Sequence, residues 1–216
     1  MRKYLVEFIG TFFLVLTIVV TVARGAGSMA PLAIGSILMV MIFAGGHISG
    51  AHYNPAVTIG VCLRGACDWK DAPGYIIAQL IGGVIAAIAG EYLVGHMTDP
   101  AGFPTDVAAT KFDFLAGTIA EFLGTFALVW VVLHTATAKG TSGNSFYGLA
   151  IGFTVMACAY GLGSVSGGAF NPAVAAGVTA AGMTSMGNIG AFLVGQLLAA
   201  VAAAFLFKFV NDENAA

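Results

Sequence analysis

Charge is what this chain lacks most. Only 8% of its 216 residues are Asp, Glu, Lys or Arg, where a soluble domain carries about 25%. The net charge is −2, which gives no reason for a nucleic-acid or polyanionic partner. Cysteine is scarce as well. Cys62, Cys67 and Cys158 have no His at metal-ligand spacing and read as small buried hydrophobes. No His-Glu-x-x-His run, Ser/Lys arrangement or Asp pair lies in any apolar stretch, which argues against an enzyme and implies neither cofactor nor metal.

What fills the space is apolar: 59% of the residues are hydrophobic, and the mean hydropathy is +0.94. The chain reads as an integral membrane protein whose chief partner is the lipid bilayer. Met1-Arg2-Lys3 followed by an apolar run resembles a signal peptide, but the run continues to Ala23 and holds Glu7. That is longer than a leader's apolar core, so it is expected to stay as a first span.

A bilayer core takes about 20 apolar residues per helix. Six stretches qualify: Tyr4–Ala23, Pro31–Ile48, Ala72–Gly95, Phe112–Thr137, Phe146–Gly163 and Gly187–Val210. Two more, Asn54–Arg64 and Asn171–Ala181, are apolar but too short. As helices they measure about 16 Å, half the core. Each is expected to enter and leave on one side, and irregular backbone at that depth is tolerated only beside protein or a water-filled path. With the N-terminus inside, Arg2, Lys3, Arg64, Lys70, Lys139 and Lys208 are internal, and only Arg24 and Lys111 are external. That asymmetry puts both termini in the cytoplasm. Asp99 and Asp106, with Pro100 and Pro104, fall in the long outer loop.

The two short segments open identically. Ser49-Gly50-Ala51-His52-Tyr53-Asn54-Pro55-Ala56-Val57 returns as Ser166-Gly167-Gly168-Ala169-Phe170-Asn171-Pro172-Ala173-Val174. Asn before Pro is an ordinary turn-to-helix junction, but two copies in matching contexts are not coincidence. Glu7-Phe8-Ile9-Gly10-Thr11-Phe12 likewise returns as Glu121-Phe122-Leu123-Gly124-Thr125-Phe126, and Gln79 as Gln196. Two repeats follow, 1–110 and 111–216. Three spans per repeat is an odd number, so the copies run in opposite senses. The predicted fold is an all-α membrane protein: six transmembrane helices plus two re-entrant half-helices in an inverted repeat. Many of the 30 Gly, such as Gly148 and Gly152, sit at helix-face spacing and suit close helix packing.

The half-helices then meet near the midplane with their electropositive N-termini converging. Asn54 and Asn171 offer amide donors to a passing water, which must turn its own hydrogens away. The file of hydrogen bonds is broken there, and the dipoles repel cations. The centre suits a neutral solute.

With its doubled Asn-Pro-Ala, its repeated Glu-Phe-Ile-Gly-Thr-Phe start and its six-plus-two plan, the chain resembles the major intrinsic protein family, the aquaporins and glyceroporins. The resemblance implies an aquaporin-like right-handed bundle, passive conduction through each subunit and a homotetramer with four pores. It implies that Asn54, Pro55, Ala56, Asn171, Pro172 and Ala173 form the central constriction. It also implies that Glu7 and Glu121 brace the re-entrant loops. The family's outer filter usually has Arg directly after the second triplet; here that residue is Val174. The other filter positions, by spacing, are Ile34, Ala159 and Gly168. None is charged or aromatic, so the filter is expected to be wide and apolar, passing water and such uncharged solutes as glycerol, urea, hydrogen peroxide or metalloid hydroxides. The Asp that marks glycerol conductors is Ala175 here. Narrowing by Tyr53 or Phe170 would instead leave a strict water channel. A secondary carrier shares the inverted repeat, but the midplane offers no charge pair for a coupling ion. A non-conducting scaffold would not need the two Asn.

Of the His residues, His47 and His52 are expected in the first re-entrant loop, bonding its backbone or sensing cytoplasmic pH. His96 and His134 fall at span ends. Trp130 lies deeper than an interfacial belt. The short loops fit a bacterial inner membrane.

Overall fold

The computed structural model describes residues 1–23, 26–97 and 112–211. Arg24, Lys111, Asp99, Asp106, Pro100 and Pro104, and the boundary between the two repeats, lie outside the described residues. Among the described residues eight α-helices run in order: α1 Arg2–Ala23, α2 Ala30–Ser49, α3 Pro55–Arg64, α4 Ala72–Gly95, α5 Phe114–Val132, α6 Tyr147–Ser166, α7 Pro172–Ala180 and α8 Ile189–Val210. A π-helical turn, Leu133–Thr137, prolongs α5. Six of these segments are long and apolar enough to cross a membrane; α3 and α7 are the short pair.

Local chemistry sets the ends. Gly50 and Gly167, at φ 87° and 91°, stop α2 and α6 in the left-handed conformation that glycine adopts without penalty. Asn54 and Asn171 cap the half-helices. Each side-chain Oδ1 accepts from the backbone N–H groups two and three residues on, at 2.8 and 3.4 Å. Pro occupies the first turn of both, where its missing N–H costs nothing. At the far end of α3, Ala66 N–H donates to Val61 O and Gly65 N–H to Cys62 O, a Schellman closure.

The halves correspond element by element. α1 packs on α4 as α5 packs on α8, and α2 meets α6 across the join. Each half-helix also packs on the last span of the other half: α3 on α8, α7 on α4. This is the inverted repeat as a structural fact. Glycines make it possible. A Cβ on Gly82 would lie 2.6 Å from Phe8 O, and one on Gly195 2.5 Å from Thr118 O, so α1–α4 and α5–α8 touch backbone to backbone. Gly35 and Gly152 do the same between α2 and α6, with 2.6 and 2.5 Å to each other's carbonyls.

Candidate pore and its re-entrant loops

The carboxyl of Glu7, fully buried in α1, receives four hydrogen bonds. Ser49 Oγ donates to Oε1 (2.6 Å) and His52 N–H does so at 3.0 Å, while Tyr53 N–H (2.7 Å) and Gln79 Nε2 (2.8 Å) donate to Oε2. Glu121 in α5 repeats the set: Ser166 Oγ at 2.6 Å, Ala169 N–H at 3.0 Å, Phe170 N–H at 2.7 Å and Gln196 Nε2 at 2.7 Å. Four donors on two oxygens suit an ionised, acceptor-only carboxylate. The recurrence of Ser49/Ser166 and Gln79/Gln196 was visible in the sequence; that these residues share a carboxylate was not.

The loops need such support because their backbone is strained. Ala51, Tyr53 and Phe170 hold φ of 51°, 48° and 49°, a region costing non-glycine residues about 1–3 kcal/mol each. The twist at Tyr53 and Phe170 presents each carbonyl to the opposite half. Asn54 Nδ2 donates to Phe170 O (2.9 Å) and Asn171 Nδ2 to Tyr53 O (2.8 Å). The two triplets are therefore hydrogen-bonded across the molecule, and each Asn spends one of its two amide hydrogens on the partner loop. One amide hydrogen of each Asn is left over.

The rings of Tyr53 and Phe170 are buried in helix packing. A Cβ on Gly10 or Gly45 would run into Tyr53, and one on Gly124 into Phe170. Tyr53 Oη donates to Met41 O at 2.9 Å. Both residues are 1% exposed, and Tyr53 is among those bordering the outer cavity.

A cavity of about 680 Å³ runs from Pro31 and Asp113 at one end to Asn54 and Asn171. Ile34, Ala159, Gly168 and Val174 all line it. Among the described residues, no Lys or Arg does. A second cavity of about 590 Å³ lies on the other side, lined by Arg64, Cys67, Asp68, Asp71 and Thr137 among others. Arg64 Nε and Nη2 donate to Thr137 Oγ1 and O, both at 3.0 Å, and its guanidinium lies 5.0 Å from the Phe207 ring centroid. Lys3 pairs with Asp71 at 2.5 Å and Lys70 with Asp68 at 2.7 Å. Those lysines hold both carboxyls below the usual carboxylate range.

Some expectations need correcting. His47 lies in the last turn of α2, exposed, not in the loop. The His52 ring bonds the Thr58 hydroxyl (Nδ1 to Oγ1, 3.1 Å), not loop backbone. Only Cys62 is buried; Cys67 and Cys158 are half-exposed, and all three are free thiols. Trp130 acquires a reason: it stacks between Phe126 and His134, one helical turn to either side, with centroids at 5.9 and 4.1 Å. His134 Nδ1 also bonds Trp130 O at 2.9 Å.

A family model described as Major intrinsic protein matches residues 1–162 and again 110–216. The chain belongs to the major intrinsic protein family. Among relatives, it is 34% identical to a Lactiplantibacillus plantarum protein named "Glycerol uptake facilitator protein-like 6", over 99% of this chain and all of that one. It is 32% identical to "Aquaporin NIP1-4" of Oryza sativa subsp. japonica, over 98% of this chain and 77% of the relative. The X-ray structure of the aquaglyceroporin from Plasmodium falciparum shares the fold, with a TM-score of 0.79 at 21% identity, covering 99% and 96% of the two chains. As a major intrinsic protein this is an integral membrane channel for water and small solutes, not an enzyme.

Proposed function

We propose that the pore passes water together with larger uncharged solutes, through an outer filter of Ile34, Ala159, Gly168 and Val174. The observation that carries this is the unbroken cavity from the outer mouth to both Asn, with those four residues on its wall. A family filter built around Arg would interrupt it with a charge. Carbonyls of the re-entrant loops serve as acceptors for solute hydroxyls, while Ile34 and Val174 take their apolar faces. The strict-water alternative loses its supposed narrowing groups, because Tyr53 and Phe170 are engaged by Gly10, Gly45 and Gly124. Glycerol is the first solute to try, in keeping with the name of the bacterial relative; urea, hydrogen peroxide and arsenous acid follow.

In this reading Asn54, Pro55, Ala56, Asn171, Pro172 and Ala173 form the central dipolar barrier, and Glu7 and Glu121 brace the loops that carry it. The chain divides into repeats 1–110 and 111–216. Arg2, Lys3, Arg64, Lys70, Lys139 and Lys208 gather at one end of the bundle, which supports cytoplasmic termini, in a bacterial inner membrane. Apolar residues exposed on outer faces, such as Ile88 and Leu198, suit lipid and the neighbours of a homotetramer; cross-linking in native membranes tests the latter.

Stopped-flow measurements on reconstituted vesicles test the filter. Val174→Arg is expected to lower glycerol permeability by about tenfold, a barrier increase near 1.4 kcal/mol, with water far less affected. Unchanged glycerol flux would refute the wide filter.

A further inference from the structure

Two of the three free thiols lie against each other where α3 ends. Gly65, at φ 93°, turns the chain back on the last turn of that helix, and the bond from Ala66 N–H to Val61 O holds the turn. Cys67 is thereby set beside Cys62. The two thiols are hydrogen-bonded to each other, and Cys67 Sγ donates to Asp68 O at 3.7 Å. Cys62 is 3% exposed. Cys67 is half-exposed and borders the cavity that Arg64 also lines. One sulfur therefore meets the open space, and the second is covered behind it.

The charged neighbours are occupied elsewhere. Asp68 is paired with Lys70, and Asp71 with Lys3. Among the described residues no group of three or more His, Cys, Asp or Glu could hold a metal, so a four-coordinate ion such as zinc lacks its ligands here. Two soft sulfurs alone suit a soft centre that needs two protein bonds and brings a third ligand of its own. Burial, with Asp71 and Asp68 adding to it, lifts the Cys67 thiol above its ordinary range, against the pull of Cys62 and Lys3. A thiol kept protonated is a poor target for peroxide, which the thiolate attacks. Condensation, which releases water, takes the thiol as it stands. Thr179 and Thr184 occupy the matching positions of the second repeat, so the pair belongs to one mouth alone.

We infer that Cys62 and Cys67 form a dithiol site, at the edge of the Arg64 cavity, that binds a trivalent metalloid hydroxide such as arsenous acid. Each sulfur gives up its hydrogen, and arsenic gives up one hydroxyl for each As–S bond formed. Two waters leave, the arsenic keeps its third hydroxyl, and no oxidation state changes. Cys67 reacts first because it faces the cavity; Cys62 then closes the ring. The inference rests on the proposed passage of uncharged solutes only for the ligand's route in, and binding is measured without transport.

Phenylarsine oxide, whose trivalent arsenic has two exchangeable positions, is titrated in detergent against the full, freshly reduced chain with reductant removed. Intact mass and loss of free thiols report the adduct. Wild type and Cys158→Ser are expected to bind one arsenical per chain. Cys67→Ser, at a half-exposed position that tolerates the change, is expected to bind about tenfold more weakly or worse, as is Cys62→Ser. A dithiol should strip the adduct, and a monothiol at equal thiol concentration should not. Wild-type affinity in Cys67→Ser, or equal release by monothiol and dithiol, overturns the site. Binding by protein whose vesicles conduct no uncharged solute would refute the proposed function and uphold the site.

Discussion

Glu7 shows how much one side chain can organise. Its carboxylate gathers donors from α2, the strained loop and α4, and Glu121 does the same in the other half. Glu121→Gln keeps the volume but replaces one acceptor oxygen by a donor facing donors. A loss of about 2–3 kcal/mol is expected, read as a lower midpoint for unfolding in detergent. Asn54→Asp is a second residue-scale case. It keeps the cap but sets a carboxylate oxygen against Phe170 O, so the tie between halves becomes a repulsion and the folded yield should fall. Asp71 supplies the acid response. Lys3 lowers its pKa from 3.8 in the folded chain, so its contribution is complete above that value and is lost as pH falls through the lower folded value. Acid unfolding followed below about pH 4 should therefore show a smaller decline for Asp71→Asn than for wild type.

At the scale of elements, helix pairs touch through glycine. Gly82→Ala and Gly195→Ala would drive a methyl into the backbone of α1 and α5 respectively, forcing the spans apart. Each should cost about 1–3 kcal/mol as overpacking, measured by thermal unfolding in detergent. Gly161→Ala meets nothing within 4 Å and should be neutral or slightly stabilising, since alanine is the better helix former. The half-helices illustrate the opposite need. α3 and α7 have 10 and 9 residues, too few to stand alone in either water or lipid. Their Asn caps, the carboxylates behind the loops and packing on the opposite half's last span hold them in place.

For the whole molecule, the arrangement is an interlock. Each half contributes the short helix that completes the other, so neither repeat buries its loop by itself. Among the described residues no Lys or Arg lines the outer cavity, and no group of three or more His, Cys, Asp or Glu able to hold a metal occurs. Flux should thus rise linearly with solute gradient and with a low activation energy. Saturation in the millimolar range would indicate a carrier instead.

Span count, half-helix positions and the inverted repeat were legible because each has a local signature: about 20 apolar residues, a shorter apolar run behind Asn-Pro-Ala, a second copy of both. The pairing of Glu7 with the first loop was legible only through resemblance. Sequence alone misplaced His47, since the glycine that ends α2 lies beyond it at Gly50. It also missed that each Asn gives an amide hydrogen to the opposite loop. Composition and periodicity determined by themselves that this chain lives in a bilayer and has two matching halves. The three-dimensional fold alone decided which polar atoms meet across the two halves. The reason is distance along the chain: Asn54 meets the carbonyl of Phe170, 116 positions away, and no local pattern records partners that only packing brings together.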